Sequence, residues 1–328
     1  MRTVKKLPTF MKGLVIRNTG YSYTVKADET GCLYECRVKG NFRIKGIRTT
    51  NPVAIGDRVE FTPQTEENAG LITALEDRKN YIIRKSTNLS KQSHILAANV
   101  DQCFLIVTVL QPETSLVFID RFLASAEAYR VPVTLVFNKV DLVVEAEWKD
   151  YLDGLVNLYE TIGYECRKIS AVTGEGVEEL RKDLQGKITL FSGNSGVGKS
   201  TLINALFPHL QLKTSEISDA YNTGKHTTTF SEMFSLSGER EEAIGYIIDT
   251  PGIKGFGTFD MTKEEVGHYF KDIFRFAPQC KFNNCTHTHE PHCAVRDAVE
   301  RHDISESRYN SYLSMLEDEN EEKYRTHP

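Results

Sequence analysis

The residues able to do chemistry in this chain fall in short runs. Gly193-Asn194-Ser195-Gly196-Val197-Gly198-Lys199-Ser200-Thr201 has the spacing G-x-x-x-x-G-K-[ST]. Glycines so spaced let successive backbone N–H groups curl around phosphate oxygens, and a following helix adds the positive end of its dipole. Lys199 is expected to reach the β- and γ-phosphates of a nucleotide, and the Ser200 hydroxyl to bind Mg²⁺. In Asp249-Thr250-Pro251-Gly252, Asp249 is expected to hold the same cation, and Gly252 offers an unobstructed N–H suited to sensing a γ-phosphate. In Asn138-Lys139-Val140-Asp141, the Asp141 carboxylate can accept from both N1–H and the exocyclic amine of guanine. Adenine presents no such donor pair, and a site built for paired hydrogen bonds rejects an analogue lacking them by roughly 10⁴–10⁵. Asn138 and Lys139 are expected to brace the base and its loops. Ser170 and Ala171, opening Ser-Ala-Val-Thr-Gly, are expected to present a backbone N–H to the guanine O6. Together these runs specify GTP rather than ATP.

Gly224-Lys225-His226-Thr227-Thr228-Thr229 lies between the phosphate loop and Asp249, where a GTPase keeps its first switch. One threonine should complete the Mg²⁺ shell; the choice is Thr228, with Thr227 and Thr229 as rivals. The residue after Gly252 is Ile253, which cannot orient water, so His226 is the candidate for that task. The catalytic candidates are therefore Lys199, His226 and Thr228. Further on, Cys280, Cys285, His287 and Cys293 have the spacing C-x₄-C-x-H-x₅-C. Three thiolates and one imidazole form the closed tetrahedral shell preferred by structural Zn²⁺, with His289 and His292 as alternative donors. A shell filled by protein leaves no position for water, so this metal is scaffolding.

Three kinds of segment must position these groups. From Lys12 to about Ile83, short period-two runs (GLVIR, YSYTVKA, CLYECRV, DRVEFT, GLITALE) are separated by turn signals. Five such strands with a basic surface fit an OB-fold barrel. From Ala98 to Gly257, apolar strands alternate with amphipathic helices, which predicts a mostly parallel sheet covered on both faces. Trp148, Leu152, Leu155, Tyr159 and Ile162 recur there at helical spacing and read as core. From Asp260 the chain reads as helices near Glu264–Phe274 and Ser305–Leu316. The expected organisation is multidomain α/β: residues 1–85 a barrel, 95–258 a nucleotide domain, 259–328 a helical zinc-binding domain.

The 328 residues carry a formal charge of −5, unevenly spread. Residues 1–60 contain twelve Lys or Arg and five Asp or Glu, a balance of 12 − 5 = +7. Glu317, Asp318, Glu319, Glu321 and Glu322 crowd the other end. A basic end on an acidic chain points to a polyanion partner, and bare charge fits a solvated face equally well. No apolar run reaches the length of a membrane span. The basic opening lacks an apolar stretch of secretory type, and the seven cysteines show no disulfide framework, which together suggest the cytosol. Exposed aromatics such as Tyr21, Tyr23 or Phe42 would serve stacking on bases, unless they belong to the core.

The order of the motifs is rotated. In most guanine-nucleotide switches Asn-Lys-x-Asp follows the phosphate loop; here it precedes it. Joining the usual ends and cutting after Asp-Thr-Pro-Gly reproduces this order, which a compact domain with neighbouring termini tolerates. The second switch then runs directly into the C-terminal segment, with Gly255 and Gly257 able to absorb backbone change. The basic barrel, the rotated motifs, Gly-Lys-His-Thr-Thr-Thr and the Cys/His cluster together resemble the bacterial GTPases that depend on the small ribosomal subunit, over essentially the whole chain. That resemblance implies slow intrinsic turnover, stimulation by the 30S subunit, a role in its late maturation, a barrel that contacts 16S rRNA, and His287 as the fourth metal ligand. Nothing in the sequence demands more than a monomer. Lys225 stands where that family usually has Arg, keeping charge without bidentate geometry. Two rivals remain: a non-ribosomal GTPase whose basic barrel meets another partner, and a nucleic-acid-binding module with a vestigial nucleotide site. The intact Lys199, Ser200, Asp141 and Asp249 weigh against the latter.

Overall fold

The computed structural model of the protein describes residues 10–38, 52–64, 68–85, 93–210, 232–236, 245–249 and 262–317. Five strands form first: β1 (Met11–Asn18), β2 (Tyr23–Ala27), β3 (Leu33–Val38), β4 (Arg58–Pro63) and β5 (Ala69–Leu75). They pair in the order β1–β2–β3–β5–β4 and close by pairing β4 with β1; β3–β5 is parallel and the other four pairings antiparallel. The period-two runs explain the interior. In β4, Val59, Phe61 and Pro63 turn inward while Arg58 faces out, and Met11, Val15, Val25, Phe61 and Ile72 fill the barrel. Closure removes the unpaired edges that an open sheet would expose. A hairpin of β6 (Tyr81–Lys85) and β7 (Ser93–Ala98) follows.

The next region alternates as expected: β8 (Gln102–Val107), α1 (Leu116–Ala128), β9 (Val133–Phe137), α2 (Ala146–Ile162), β10 (Glu165–Lys168), α3 (Val177–Asp183), β11 (Ile188–Ser192), α4 (Lys199–Leu206), β12 (Glu232–Ser235) and β13 (Tyr246–Asp249). Strands β10, β9, β8, β11 and β13 lie side by side and parallel, with β12 antiparallel beside β13. Their near-continuous apolar sequence follows from helices on both faces: every residue of β8 and β9 is buried. Ser115 caps α1, its hydroxyl accepting from the Phe118 N–H at 3.3 Å, and α2 stops at Gly163 with φ +104°. Leu152, Leu155, Tyr159 and Ile162 enter the main core with Trp148 packed against it, as the helical spacing predicts.

One pairing has no precedent in the sequence reading. Strand β12 pairs with barrel strand β1, Arg17 opposite Glu232, so barrel and parallel sheet form one eleven-stranded sheet. Leu14 of β1 sits in the same core as Met233 and Ile248 rather than in the barrel's own, and the Lys26 ammonium lies 5.7 Å from the Tyr246 ring centre.

The C-terminal region comprises α5 (Lys263–Val266), α6 (Lys271–Phe276), α7 (Ala294–Glu300) and α8 (Glu306–Glu317). The single helix expected near Glu264–Phe274 is split by a tight 3₁₀ turn at Gly267–Tyr269. Helix α8 packs on α1 and carries Arg308, which bonds Asp272 of α6 through Nε at 3.1 Å and Nη2 at 2.8 Å, and Asp120 of α1 through Nη1 at 2.8 Å. Tyr159 donates to the same Asp120 oxygen at 2.9 Å.

Candidate guanine-nucleotide site and metal centre

In an open parallel sheet the carboxyl ends of the strands face a common crevice, and the phosphate loop, Asn138 and Asp249 all lie at those ends. Asp249 closes β13, in register with Phe191 of β11. The loop after β11 demands glycine where the chain turns. Gly193 has φ +146° and a Cβ there would lie 2.4 Å from the Ile106 carbonyl oxygen; Gly198 has φ +90° and a Cβ would lie 2.6 Å from Asn138 Nδ2. Val197 anchors the loop among Phe104, Phe191 and Leu202. Helix α4 begins at Lys199, so Ser200 and Thr201 occupy its first turn, half-buried. The Lys199 ammonium folds over the loop and donates to the carbonyls of Gly193 at 2.8 Å and Asn194 at 3.4 Å.

The Asn138 amide ties three loops together. Its Nδ2 donates to the Val197 carbonyl at 2.8 Å and its Oδ1 accepts from the Ala171 N–H at 3.0 Å. Lys139, with φ +65°, sends its ammonium to the Gly196 carbonyl at 2.8 Å and to the Gln111 carbonyl. Val140 opens a 3₁₀ turn and donates to Ile169 O at 3.2 Å. Asp141 Oδ1 is buried without a hydrogen-bond partner. A buried acceptor left unpaired is costly, and this one lies on the same turn as Asn138, whose amide reaches the phosphate loop.

The geometry bears on two points left open by residue type. Ser170 donates its N–H to Glu175 O at 2.9 Å, and Ala171 donates its own to Asn138 Oδ1. The tight turn Ser170–Glu175 closes on itself, so this segment fixes Asn138. Tyr23 is a barrel core residue at 4 % exposure, whereas Tyr21 is 93 % exposed. His226, Thr228 and Gly252, with Thr227, Thr229, Ile253 and Phe42, lie outside the described residues.

The cluster of Cys280, Cys285, His287 and Cys293 brings all four ligand atoms within 4.8 Å of one another. Cys280 Sγ lies 3.6 Å from His287 Nδ1 and 3.9 Å from Cys293 Sγ, which is 3.4 Å from the same nitrogen. A tetrahedral shell with Zn–S of about 2.3 Å and Zn–N of about 2.0 Å sets its ligand atoms about 3.5–3.8 Å apart, so the cluster has the size to hold a metal. Burial holds the His287 imidazole below its ordinary value and pushes the Cys285 thiol up to about 12; a neutral imidazole is already a ligand, and a bound cation would reverse the thiol preference. His289 and His292 are exposed and stand apart from the four. Tyr309 and Tyr312 of α8 secure the ligand loop, donating at 2.6 Å to the carbonyls of His287 and Thr286.

Sequence reasoning missed the loop after β8, whose Gln111 carbonyl reaches Lys139, and the buried Arg308 network. A carbonyl acceptor leaves no trace in residue type, and Arg308 reads as one more surface charge on a polar helix.

Comparison with known proteins bears on this geometry. The RsgA GTPase family matches residues 75–259 and the RsgA N-terminal domain matches residues 12–72. "Small ribosomal subunit biogenesis GTPase RsgA 2" of Bacteroides thetaiotaomicron is 67% identical over 315 residues, 96% of this chain and 99% of that protein. "Small ribosomal subunit biogenesis GTPase RsgA" of Bacteroides fragilis is 67% identical with the same coverage. Among solved structures, YjeQ from Thermotoga maritima matches with a TM-score of 0.75 and 37% identity over 94% of this chain and 97% of that one. YloQ, titled a circularly permuted GTPase, matches at 0.72 and 27% over 100% and 99%. With the phosphate loop, the Asn138–Asp141 turn and the rotated order in one sheet, the chain belongs to the RsgA GTPase family.

Proposed function

We propose that this GTPase hydrolyses GTP in response to the small ribosomal subunit and acts late in 30S maturation. The observation that carries the nucleotide half is the buried, unpartnered Asp141 oxygen beside a phosphate loop pinned by Asn138. The ribosomal half rests on the relatives, whose printed names place them in small-subunit biogenesis, and on the basic first sixty residues. In this reading Asp141 selects guanine, while Lys199 and the N–H groups of Gly193–Thr201 cradle the phosphates. Ser200, Asp249 and Thr228 hold Mg²⁺, Gly252 senses the γ-phosphate, and His226 orients water. The cation would screen charge that builds on the phosphoryl oxygens. The barrel, within residues 1–85, contacts 16S rRNA, with exposed Tyr21 available to stack on a base. Residues 95–258 turn over nucleotide. Residues 259–328 are held by one structural Zn²⁺ on Cys280, Cys285, His287 and Cys293, a set that suits zinc by softness and closure. The protein works as a cytoplasmic monomer. Among the described residues no helix is long and apolar enough to cross a membrane.

The test is GTP hydrolysis by the purified chain alone and with purified 30S subunits, 50S subunits or 70S ribosomes. Stimulation by 30S alone is the expected result. Equal rates in all four reactions would contradict the ribosomal assignment and favour a GTPase whose basic barrel answers to another partner.

A further inference from the structure

The loop between β8 and α1, Thr108–Ser115, is a closed unit leaning on the nucleotide site. The Thr108 N–H donates to Thr114 Oγ1 at 3.1 Å, the Thr114 N–H returns to the Thr108 carbonyl at 2.8 Å, and the Thr108 hydroxyl donates to the Pro112 carbonyl. Thr108 and Thr114 are buried while the tip, Gln111 and Pro112, is exposed. That tip touches both halves of the site. The Gln111 carbonyl accepts from the Lys139 ammonium, which also donates to the Gly196 carbonyl. The Pro112 Cδ lies 3.3 Å from where a Cβ on Gly196 would stand.

We propose that the Thr108–Ser115 loop is a positioning clasp that sets how long guanine nucleotide stays bound. It does so by locking the Lys139 ammonium and the phosphate loop to each other; the proposal rests on the guanine-nucleotide reading above. Lys139 has acceptors on two loops, so losing the Gln111 carbonyl leaves its ammonium held by Gly196 alone, with Asn138–Val197 as the other tie between the Asn138–Asp141 turn and the phosphate loop. A hydrogen bond to a charged donor is stronger than a neutral one, and its loss loosens the pocket around base and phosphates alike. Gln111, Pro112 and Lys139 serve parts of the nucleotide common to GDP and GTP, so the clasp governs residence of both.

Gln111 itself supplies the handle. Its φ of +51° lies in the left-handed region, which glycine adopts freely and a β-branched residue resists. Release of fluorescently labelled GDP from the full chain would be followed by stopped flow for wild type, Gln111→Val, Gln111→Gly and Pro112→Ala, beside the melting temperature of each without nucleotide. Gln111→Val and Pro112→Ala should release GDP about tenfold faster or more, Gln111→Gly should stay within about twofold of wild type, and all four should melt in one cooperative transition without nucleotide. Wild-type release rates in both Gln111→Val and Pro112→Ala would overturn the clasp, as would acceleration in Gln111→Gly equal to that in Gln111→Val. A wild-type chain that retains no labelled GDP would overturn the guanine reading itself, and the clasp with it.

Discussion

Arg308 is 1 % exposed and faces two carboxylates, Asp120 and Asp272, that are also buried; its guanidinium lies 4.7 Å from the Phe270 ring centre. Burial raises the Asp120 carboxyl above its ordinary value, and the Arg308 charge opposes that rise. Replacing Arg308 by Met keeps the volume but leaves buried acids uncompensated, a loss of about 3–5 kcal/mol that urea denaturation would read. The deficit has a defined pH dependence. A carboxyl whose folded pKa is raised contributes stability below its unfolded pKa and loses it as pH rises through the folded one. Removing Arg308 raises the Asp120 value further, so Arg308→Met should trail wild type most at neutral pH and recover on acidification. A deficit independent of pH would contradict this. None of this network was legible in the sequence, because partners from three helices meet only in the folded state. The phosphate-loop residues and Asp141 were legible, since their spacing is local and their chemistry is carried by residue type.

The loop that carries Cys280, Cys285, His287 and Cys293 joins α6 to α7 and has little regular structure of its own, so on the proposed reading a metal on these four would hold what packing does not. Glu290 assists. Partial burial pulls its carboxyl upward but is outweighed by the Thr286 hydroxyl and by backbone N–H groups, which hold it at about 2. Removal of the metal with a chelator should release the Tyr309 and Tyr312 contacts and lower the melting temperature of the C-terminal helices, and added zinc should restore it. Tyrosine fluorescence and thiol accessibility read both steps; an unchanged signal after verified metal loss would contradict a scaffolding role. At this scale the sequence carried the barrel strands almost to the residue, because period-two burial is local. It missed α7 and the break at Gly267, where short helices owe their ends to tertiary contacts rather than to periodicity.

The shared sheet changes what the permuted order means for the whole molecule. Strand β12 follows the segment holding His226 and Thr228 and pairs directly with barrel strand β1, while α8 rivets the C-terminal region to α1 through Arg308. The domain with the nucleotide site is thus gripped from both sides by the regions proposed to meet RNA and metal. No sequence pattern marks the β1–β12 pairing, since strands far apart in the chain meet through a single register pair. Because Leu14 packs in the central core, Leu14→Ala should cost about 2–5 kcal/mol and lower one common transition of barrel and nucleotide domain. Calorimetry that resolves two independent transitions, only one of them shifted, would contradict this coupling.

On the proposed function, Asp141 reads guanine in a site whose turnover the small subunit commands. Asn in place of Asp141 would present a donor and an acceptor, matching the N1–H and C2 carbonyl of xanthine instead of the guanine donor pair. The most direct measurement is nucleotide hydrolysis by wild type and Asp141→Asn, each with GTP or XTP, with and without 30S subunits. Wild type should show 30S-stimulated turnover of GTP, and Asp141→Asn of XTP. An Asp141→Asn chain that still prefers GTP under 30S stimulation would contradict this.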